Sequence, residues 1–163
     1  MSATDDLLGN NADYAAGFEH GGLKAPPARA VAIVACMDAR LDIYAMLGLS
    51  TGDAHVIRNA GGVVTDDVVR SLAISQRLLG TREIVLVHHT HCGMTSFRDD
   101  DVKAQIEQDT GIRPPFSMEA FGDETEDVRQ SIRRIEASPF VPHKDAIRGF
   151  VYDVESGRLE EVG

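Results

Sequence analysis

The chain alternates between short, strand-like apolar runs and longer segments whose apolar residues recur at helical spacing. Runs at 30–35, 54–58 and 83–88 are rich in valine and isoleucine, and the first is apolar throughout, as in a parallel strand buried on both faces. Between the second and third runs, helical periodicity begins after Thr65, a suitable N-cap, and stops at Gly80. Strand, helix and strand in this order predict a parallel crossover. We therefore expect an α/β fold with a mostly parallel central β-sheet flanked by helices.

The segments outside this unit predict one domain spanning residues 1–163. Residues 3–20 mix apolar and polar positions and predict an N-terminal helical arm, a candidate for dimerisation, within an arm and connector at 1–27. Segment 98–122 is expected to be irregular or partly helical, exposed and without a functional site. The other predicted elements are a short helix over 41–47 ended by Gly48, a helix at 124–137, and hairpin strands at 147–154 and 159–162.

Composition narrows the classes of function. The 163 residues carry a formal net charge of −10, which argues against nucleic acid or an anionic membrane as partner and favours a small or neutral substrate. No apolar run approaches the roughly 20 residues of a membrane span, and the acidic start does not resemble a signal peptide. We therefore expect a cytoplasmic protein. Thiols stay reduced there, so the two cysteines favour metal binding or catalysis over a disulfide.

Candidate metal ligands follow two of the predicted strands. Cys36 comes directly after the first run, and the pattern His89-x-x-Cys92 follows the third. Because the carboxyl ends of parallel strands meet at one edge of a sheet, these residues predict a Cys₂His zinc site with a fourth position left open. Asp38 is a possible fourth ligand. Arg40, two residues further on, competes with the metal for that carboxylate.

The ligand set also suggests a pH dependence. Two thiolates balance the charge of zinc, so the site should acidify water less than an all-histidine site and work best at alkaline pH. Our hypothesis is that Asp38 binds the metal at lower pH and pairs with Arg40 as the pH rises.

Other interpretations remain open for several residues. Each cysteine alone could be a small buried apolar residue, and a Cys–His pair could act as nucleophile and base in a hydrolase. His88 and His91 could be extra ligands, proton carriers or ordinary histidines. Arg58 could bind an anion or end its strand in an ion pair. The Gly61-Gly62 pair would let the backbone approach the site closely.

Three ordered motifs resemble those of the β-class carbonic anhydrases. They are Cys-x-Asp-x-Arg at 36–40, Arg-Asn-Ala-Gly at 58–61 and His-x-x-Cys-Gly at 89–93. The resemblance covers roughly residues 28–153 and is nearest to the short mycobacterial and actinobacterial members. It implies a zinc lyase that interconverts carbon dioxide and bicarbonate, with one Zn²⁺ per subunit held by Cys36, His89 and Cys92.

The resemblance also implies roles for neighbouring residues. Asp38 and Arg40 would form the dyad that orients the zinc-bound hydroxide. The substrate pocket and the residues that support it would include Arg58, Asn59, Ala60 and Gly61. Val63 and Val64 are candidate apolar walls of that pocket. His91, where the family usually has Asp, or His88 could carry the proton away.

The family works as homodimers or higher homo-oligomers, in which the N-terminal helices wrap the partner, and the predicted arm suits that role. Two other functions compete with carbonic anhydrase activity. One is a zinc hydrolase of another heterocumulene, such as carbon disulfide or carbonyl sulfide. The other is a non-catalytic zinc-binding module.

Overall fold

The computed structural model describes residues 2–163 and shows one five-stranded sheet with helices on both faces. The strands are β1 Val31–Cys36, β2 Ala54–Asn59, β3 Glu83–His89, β4 Ile147–Tyr152 and β5 Leu159–Val162. The helices are α1 Ala3–Ala16, α2 Ile43–Leu47, α3 Asp66–Leu79, α4 Asp99–Thr110 and α5 Glu124–Ala137. The predicted α/β class is confirmed, and the predicted bounds of most elements differ from these by one or two residues.

The strand order creates the place where the candidate ligands meet. The sheet runs β2-β1-β3-β4-β5, with the first four strands parallel and β5 antiparallel to β4. From β1 the chain moves to β2 on one side and then returns to β3 on the other. Such a reversal opens a crevice at the carboxyl ends of the two strands. The junction of β1 and β3 is therefore the expected location of a site.

Two apolar clusters, one on each face of the sheet, hold the fold together. On one face Val34 and Leu86 pack with Leu72 of α3 and Ile135 of α5, all fully or almost fully buried. The other face packs under α2 through Ile43. Because β1 and β3 are covered on both sides, β1 and residues 84–87 of β3 are apolar throughout, the pattern that predicted them.

Helix α1 is the predicted N-terminal arm, and it ends at Ala16 rather than at residue 20. A capping box between Ser2 and Asp5 starts the helix. It buries no residue of its own, and its segment exposes four large apolar side chains, Leu7, Leu8, Tyr14 and Phe18. None of the helices within residues 2–163 has the length and apolar character needed to cross a membrane.

Segment 98–122 is more regular than the sequence indicated. Its first half is α4, a helix of 12 residues with no buried residue, which Gly111 ends in the left-handed conformation. Three acidic residues in the first turn stabilise the helix dipole. The segment is exposed as predicted. Because α4 buries no side chain, its sequence has no apolar periodicity from which the helix could be predicted.

Candidate metal centre

The three predicted metal ligands come together at the carboxyl edge of the sheet. Cys36 ends β1 and His89 ends β3, and the turn after β3 brings Cys92 back beside them. Their ligand atoms all lie within 4.8 Å of one another, and all three residues are buried. In a tetrahedral zinc site with bonds of about 2.0–2.3 Å, ligand atoms are about 3.5–3.8 Å apart. The spacing is therefore compatible with one zinc ion.

The ring of His89 is oriented as a metal ligand should be. Its Nδ1 lies 2.9 Å from the carbonyl oxygen of Thr90, so Nδ1 carries the proton and donates it. Its Nε2 is buried and has no hydrogen-bond partner within residues 2–163. Such an unpaired nitrogen costs free energy unless something binds its lone pair. Two sulfurs and one imidazole form a donor set that suits zinc, so these residues fit the ion.

The surroundings of the two sulfurs favour a thiolate on Cys36. The pKa of Cys36 is lowered by the neighbouring Cys92 thiol, by His89 and by the nearby backbone amides of Asp38 and Gly61. The pKa of Cys92 is raised, because the adjacent Cys36 and burial both disfavour a second negative charge.

The protonation of His89 follows from two opposing influences. Burial works to lower the pKa of His89, but the nearby Cys36 sulfur and the Thr90 carbonyl favour the charged ring and outweigh it, and the pKa is raised. Protons held on the imidazole lone pair and on the thiols must leave before a metal binds. Metal affinity should therefore increase with pH.

Asp38 and Arg40 form a two-point ion pair at the edge of the ligand cluster. Arg40 Nε lies 2.9 Å from Oδ1 of Asp38, and its terminal nitrogen lies 2.8 Å from Oδ2. The Arg40 side chain, together with its backbone amide, holds the pKa of Asp38 well below its ordinary value. Oδ2 is 3.7 Å from His89 Nε2. The structure thus shows Asp38 paired with Arg40, and its binding to metal at lower pH stays a prediction.

Arg58 contacts the backbone of the site. Its Nε donates to the carbonyl of Cys36 at 2.9 Å, and its terminal nitrogen donates to the carbonyl of Asp38 at 2.7 Å. It therefore fixes the backbone that carries the first ligand and the dyad, a contact that suits the supporting position implied by the resemblance. Asn59 acts similarly on the next turn, because its side-chain amide donates to the carbonyl of Val63 at 2.8 Å.

A cavity of about 170 Å³ opens onto the ligand cluster. It is lined by Cys36, Met37, Asp38, Ala60, Gly61, Cys92, Gly93 and Met94. The prediction of Val63 and Val64 as walls is wrong, because Val64 packs in the core between the sheet and α3 and neither valine reaches the cavity. Met37 and Met94 are the large apolar side chains there.

The two other histidines considered for the site have very different surroundings. His88 is fully buried, and its Nε2 lies 2.6 Å from Oδ2 of Asp127 in α5. It lies outside the ligand cluster and has no direct route to solvent, which contradicts the suggested roles of extra ligand and proton carrier. The side chain of His91 is 69% exposed, 3.7 Å from Glu155. Its carbonyl accepts a hydrogen bond from Arg40 at 3.1 Å.

Two contacts near the site were not predicted: Phe121 packs beside Gly61 and Met94, and Asp127 pairs with His88. Both residues come from the second half of the chain and reach their partners only through the fold. Met94 could have been identified, since it is the apolar residue directly after the Cys-Gly pair at the end of β3.

Comparisons with known proteins agree with this geometry. The family model described as Carbonic anhydrase matches residues 31–113. The chain is 65% identical to beta-carbonic anhydrase 1 of Mycobacterium tuberculosis over 162 residues, which cover 99% of each chain. It is 35% identical to a carbon disulfide hydrolase of Acidithiobacillus thiooxidans, covering 82% of this chain and 77% of that protein.

A solved structure extends the comparison to the fold. The crystal structure of carbonic anhydrase from Streptococcus mutans matches with a TM-score of 0.93 and 43% identity, covering 100% of this chain and 99% of that one. Sequence and structure are thus shared with carbonic anhydrases along nearly the whole chain. The protein belongs to the β-class carbonic anhydrase family, among its short members.

Proposed function

We propose that this chain catalyses the reversible hydration of carbon dioxide to bicarbonate and a proton, with one zinc ion per subunit held by Cys36, His89 and Cys92. The observation that carries the proposal is the buried, unpaired Nε2 of His89, which faces two cysteine sulfurs beside an ionised Asp38. Zinc bound by these residues would supply Lewis acidity, which makes hydroxide available near neutral pH.

Asp38 is suited to orient the oxygen nucleophile. Its carboxylate is ionised and held at two points by Arg40, so its position beside His89 is fixed. An ionised carboxylate only accepts hydrogen bonds. Asp38 would therefore accept a hydrogen bond from the hydroxyl group of the nucleophile, which leaves an oxygen lone pair directed at the carbon of carbon dioxide.

The cavity provides an apolar place for the substrate. Carbon dioxide is small, linear and without net charge, so it needs shape and an apolar surface more than charged contacts. Ala60, Met94 and Met37 supply apolar surface in the lining of the cavity. A cavity of about 170 Å³ has room for a molecule of this size, and the likeness to a carbon disulfide hydrolase makes carbon disulfide the second candidate substrate.

A catalytic role explains the site better than a structural zinc. Structural zinc normally has four protein ligands, whereas the cluster found within residues 2–163 has three. Arg40 also holds the nearby carboxylate away from a permanent place in the cluster.

We further propose that His91, which is exposed and next to Cys92, carries the released proton to solvent.

We propose that the protein is a homodimer or a higher homo-oligomer in which α1 packs on a second copy. The four exposed apolar side chains of the arm need a partner surface, and a second copy offers one. A groove of about 370 Å³ runs along β2, an edge strand, and α3, where Val56, Ile74 and Leu79 line it.

We also propose a location in a reducing compartment such as the cytoplasm. The two cysteines must not form a disulfide if they are to bind metal, and a reducing compartment keeps them apart as thiols.

Stopped-flow carbon dioxide hydration by zinc-loaded protein tests the proposed function. The rate should rise from pH 6.5 to pH 9 and should disappear when zinc is removed by a chelator and return when zinc is restored. Cys92→Ser should lose both zinc and activity, which metal analysis and the same assay would show. Zinc-replete wild-type protein without activity at any pH would contradict the proposal, and hydrogen sulfide release from carbon disulfide would then be measured.

A further inference from the structure

Asp99, the first residue of α4, holds the loop at 117–120, which we call the strap. Its Oδ2 accepts hydrogen bonds from the hydroxyl of Ser117 and the amide of Met118, both at 2.8 Å, and from the amide of Glu119 at 3.3 Å. Its Oδ1 accepts from the amide of Ala120 at 2.8 Å. One carboxylate therefore binds three consecutive backbone amides and one hydroxyl.

The strap needs this anchor because its backbone is strained. Glu119 has a φ of +60°, a left-handed conformation that is unfavourable for a residue with a Cβ atom. Burial works to raise the pKa of Asp99, but the hydrogen bonds from Ala120, Ser117 and their neighbours outweigh it and keep the pKa below its ordinary value. Asp99 is thus ionised at neutral pH. Hydrogen bonds to an ionised group are stronger than those between neutral groups.

The strap leads directly into Phe121, which lies behind the proposed substrate cavity. The amide of Phe121 donates to the carbonyl of Met94 at 3.3 Å. A Cβ atom placed on Gly61 would lie 3.0 Å from both Phe121 Cε1 and Met94 Cγ, so the three residues are in close contact. The ring of Phe121 also lies 5.6 Å from that of His88, between centroids. Phe121 therefore supports two walls of the cavity, Gly61 and Met94.

We propose that Asp99 is a positioning residue for the carbon dioxide pocket. Its carboxylate fixes the strap, the strap seats Phe121, and Phe121 holds Met94 and the Gly61 turn at the cavity. Asp99 itself touches no ligand and no reacting group. The inference rests on the proposed function, since it assigns the substrate to this cavity.

A loosened strap should affect substrate capture more than turnover at saturation. If the Met94 wall moves, carbon dioxide is held less well, and KM rises. The hydroxide supply and the export of the proton depend on other residues, so kcat should change little.

The test compares Asp99→Asn with the matched control Asp101→Asn. Both variants lose one negative charge in the first turn of α4, but Asp101 is exposed and has no part in the strap. Asp99→Asn should raise KM for carbon dioxide about three- to ten-fold with kcat within about two-fold, whereas Asp101→Asn should change neither. Hydrogen exchange at the strap amides, measured by mass spectrometry, should accelerate in the first variant only.

A double-mutant cycle with Phe121→Leu tests whether Asp99 acts through Phe121. Phe121→Leu should also raise KM, and adding Asp99→Asn to it should raise KM no further. The inference would be overturned if Asp99→Asn left KM unchanged, or if the two substitutions together raised KM by the product of their separate effects. Either result would leave an active wild type and the proposed function intact. A zinc-loaded wild type that does not hydrate carbon dioxide would instead refute the proposed function, and the pocket role with it.

Discussion

Gly62 lies where the 3₁₀ turn after β2 presses onto the ends of β1 and β3. A Cβ atom at this position would lie 2.8 Å from the amide nitrogen of Cys36 and 3.1 Å from the carbonyl oxygen of Val87. Both contacts are with the backbone of two inner strands of the sheet, which cannot move aside as a flexible side chain could. The backbone φ of Gly62 is +70°, a value that favours glycine. Gly62→Ala should therefore strain the first metal ligand and the fold together.

The magnitude follows from two contributions. The left-handed conformation costs alanine about 1–2 kcal/mol, and relieving the two backbone contacts costs about 1–3 kcal/mol more, as in other overpacked sites. We expect Gly62→Ala to lower the free energy of unfolding by about 2–5 kcal/mol. Zinc affinity should also fall, because the displaced backbone carries Cys36.

Gly48→Ala is the matched control. Gly48 has a φ of +61°, but nothing lies within 4 Å of its Cβ position, so alanine there meets the conformational cost alone. The effect of either substitution on the unfolded chain is the same and cancels in the comparison. Urea unfolding followed by circular dichroism, at one protein concentration and with and without zinc, measures both variants. Equal losses of stability in Gly62→Ala and Gly48→Ala would refute the close-approach argument.

Three further predictions follow from the site and the arm. Arg40→Gln should move the midpoint of acid unfolding to higher pH. Because Arg40 lowers the pKa of Asp38, the ionised carboxylate stabilises the fold above its unfolded-state pKa, and this stabilisation is lost as the pH falls through the folded-state pKa. An unchanged midpoint in a circular dichroism titration would contradict this. His91→Asn should lower kcat about three- to ten-fold, and imidazole buffer should restore it. If stopped flow showed neither the loss nor the rescue, the proton-carrier role would be refuted. Leu8→Asp should shift the protein towards monomer in analytical ultracentrifugation, while Asn10→Asp on the same helix should not. The same sedimentation behaviour in both variants would argue against the arm as an interface.

Local sequence was sufficient to predict most elements and the metal ligands. β1 and β3 are buried on both faces, so β1 and residues 84–87 of β3 are continuous apolar runs that could be recognised without knowing their neighbours. Thr65 and Gly80 marked the ends of α3 through capping, which depends only on adjacent residues. Cys36 and the His89-Cys92 pair were found because each directly follows a strand.

Contacts between distant segments could not be predicted in the same way. Arg58 donates to the carbonyl oxygens of Cys36 and Asp38, and every residue has such a carbonyl, so no pattern of residue types indicates this contact. The bounds of α4, within a segment predicted to be irregular or partly helical, could not be predicted because the helix buries nothing and therefore has no apolar period.

The sequence by itself determined the order of the elements, the α/β class and the set of atoms available to bind zinc, because these depend on local periodicity and on residue chemistry next to strand ends. Only the tertiary structure decided that Asp38 is paired with Arg40, that His88 is sealed against Asp127, and that Phe121 supports the cavity. These outcomes depend on how the ends of β1 and β3 meet α5 and the strap. That packing is set by burial and backbone geometry summed over the whole chain, so it cannot be read from any short stretch of it.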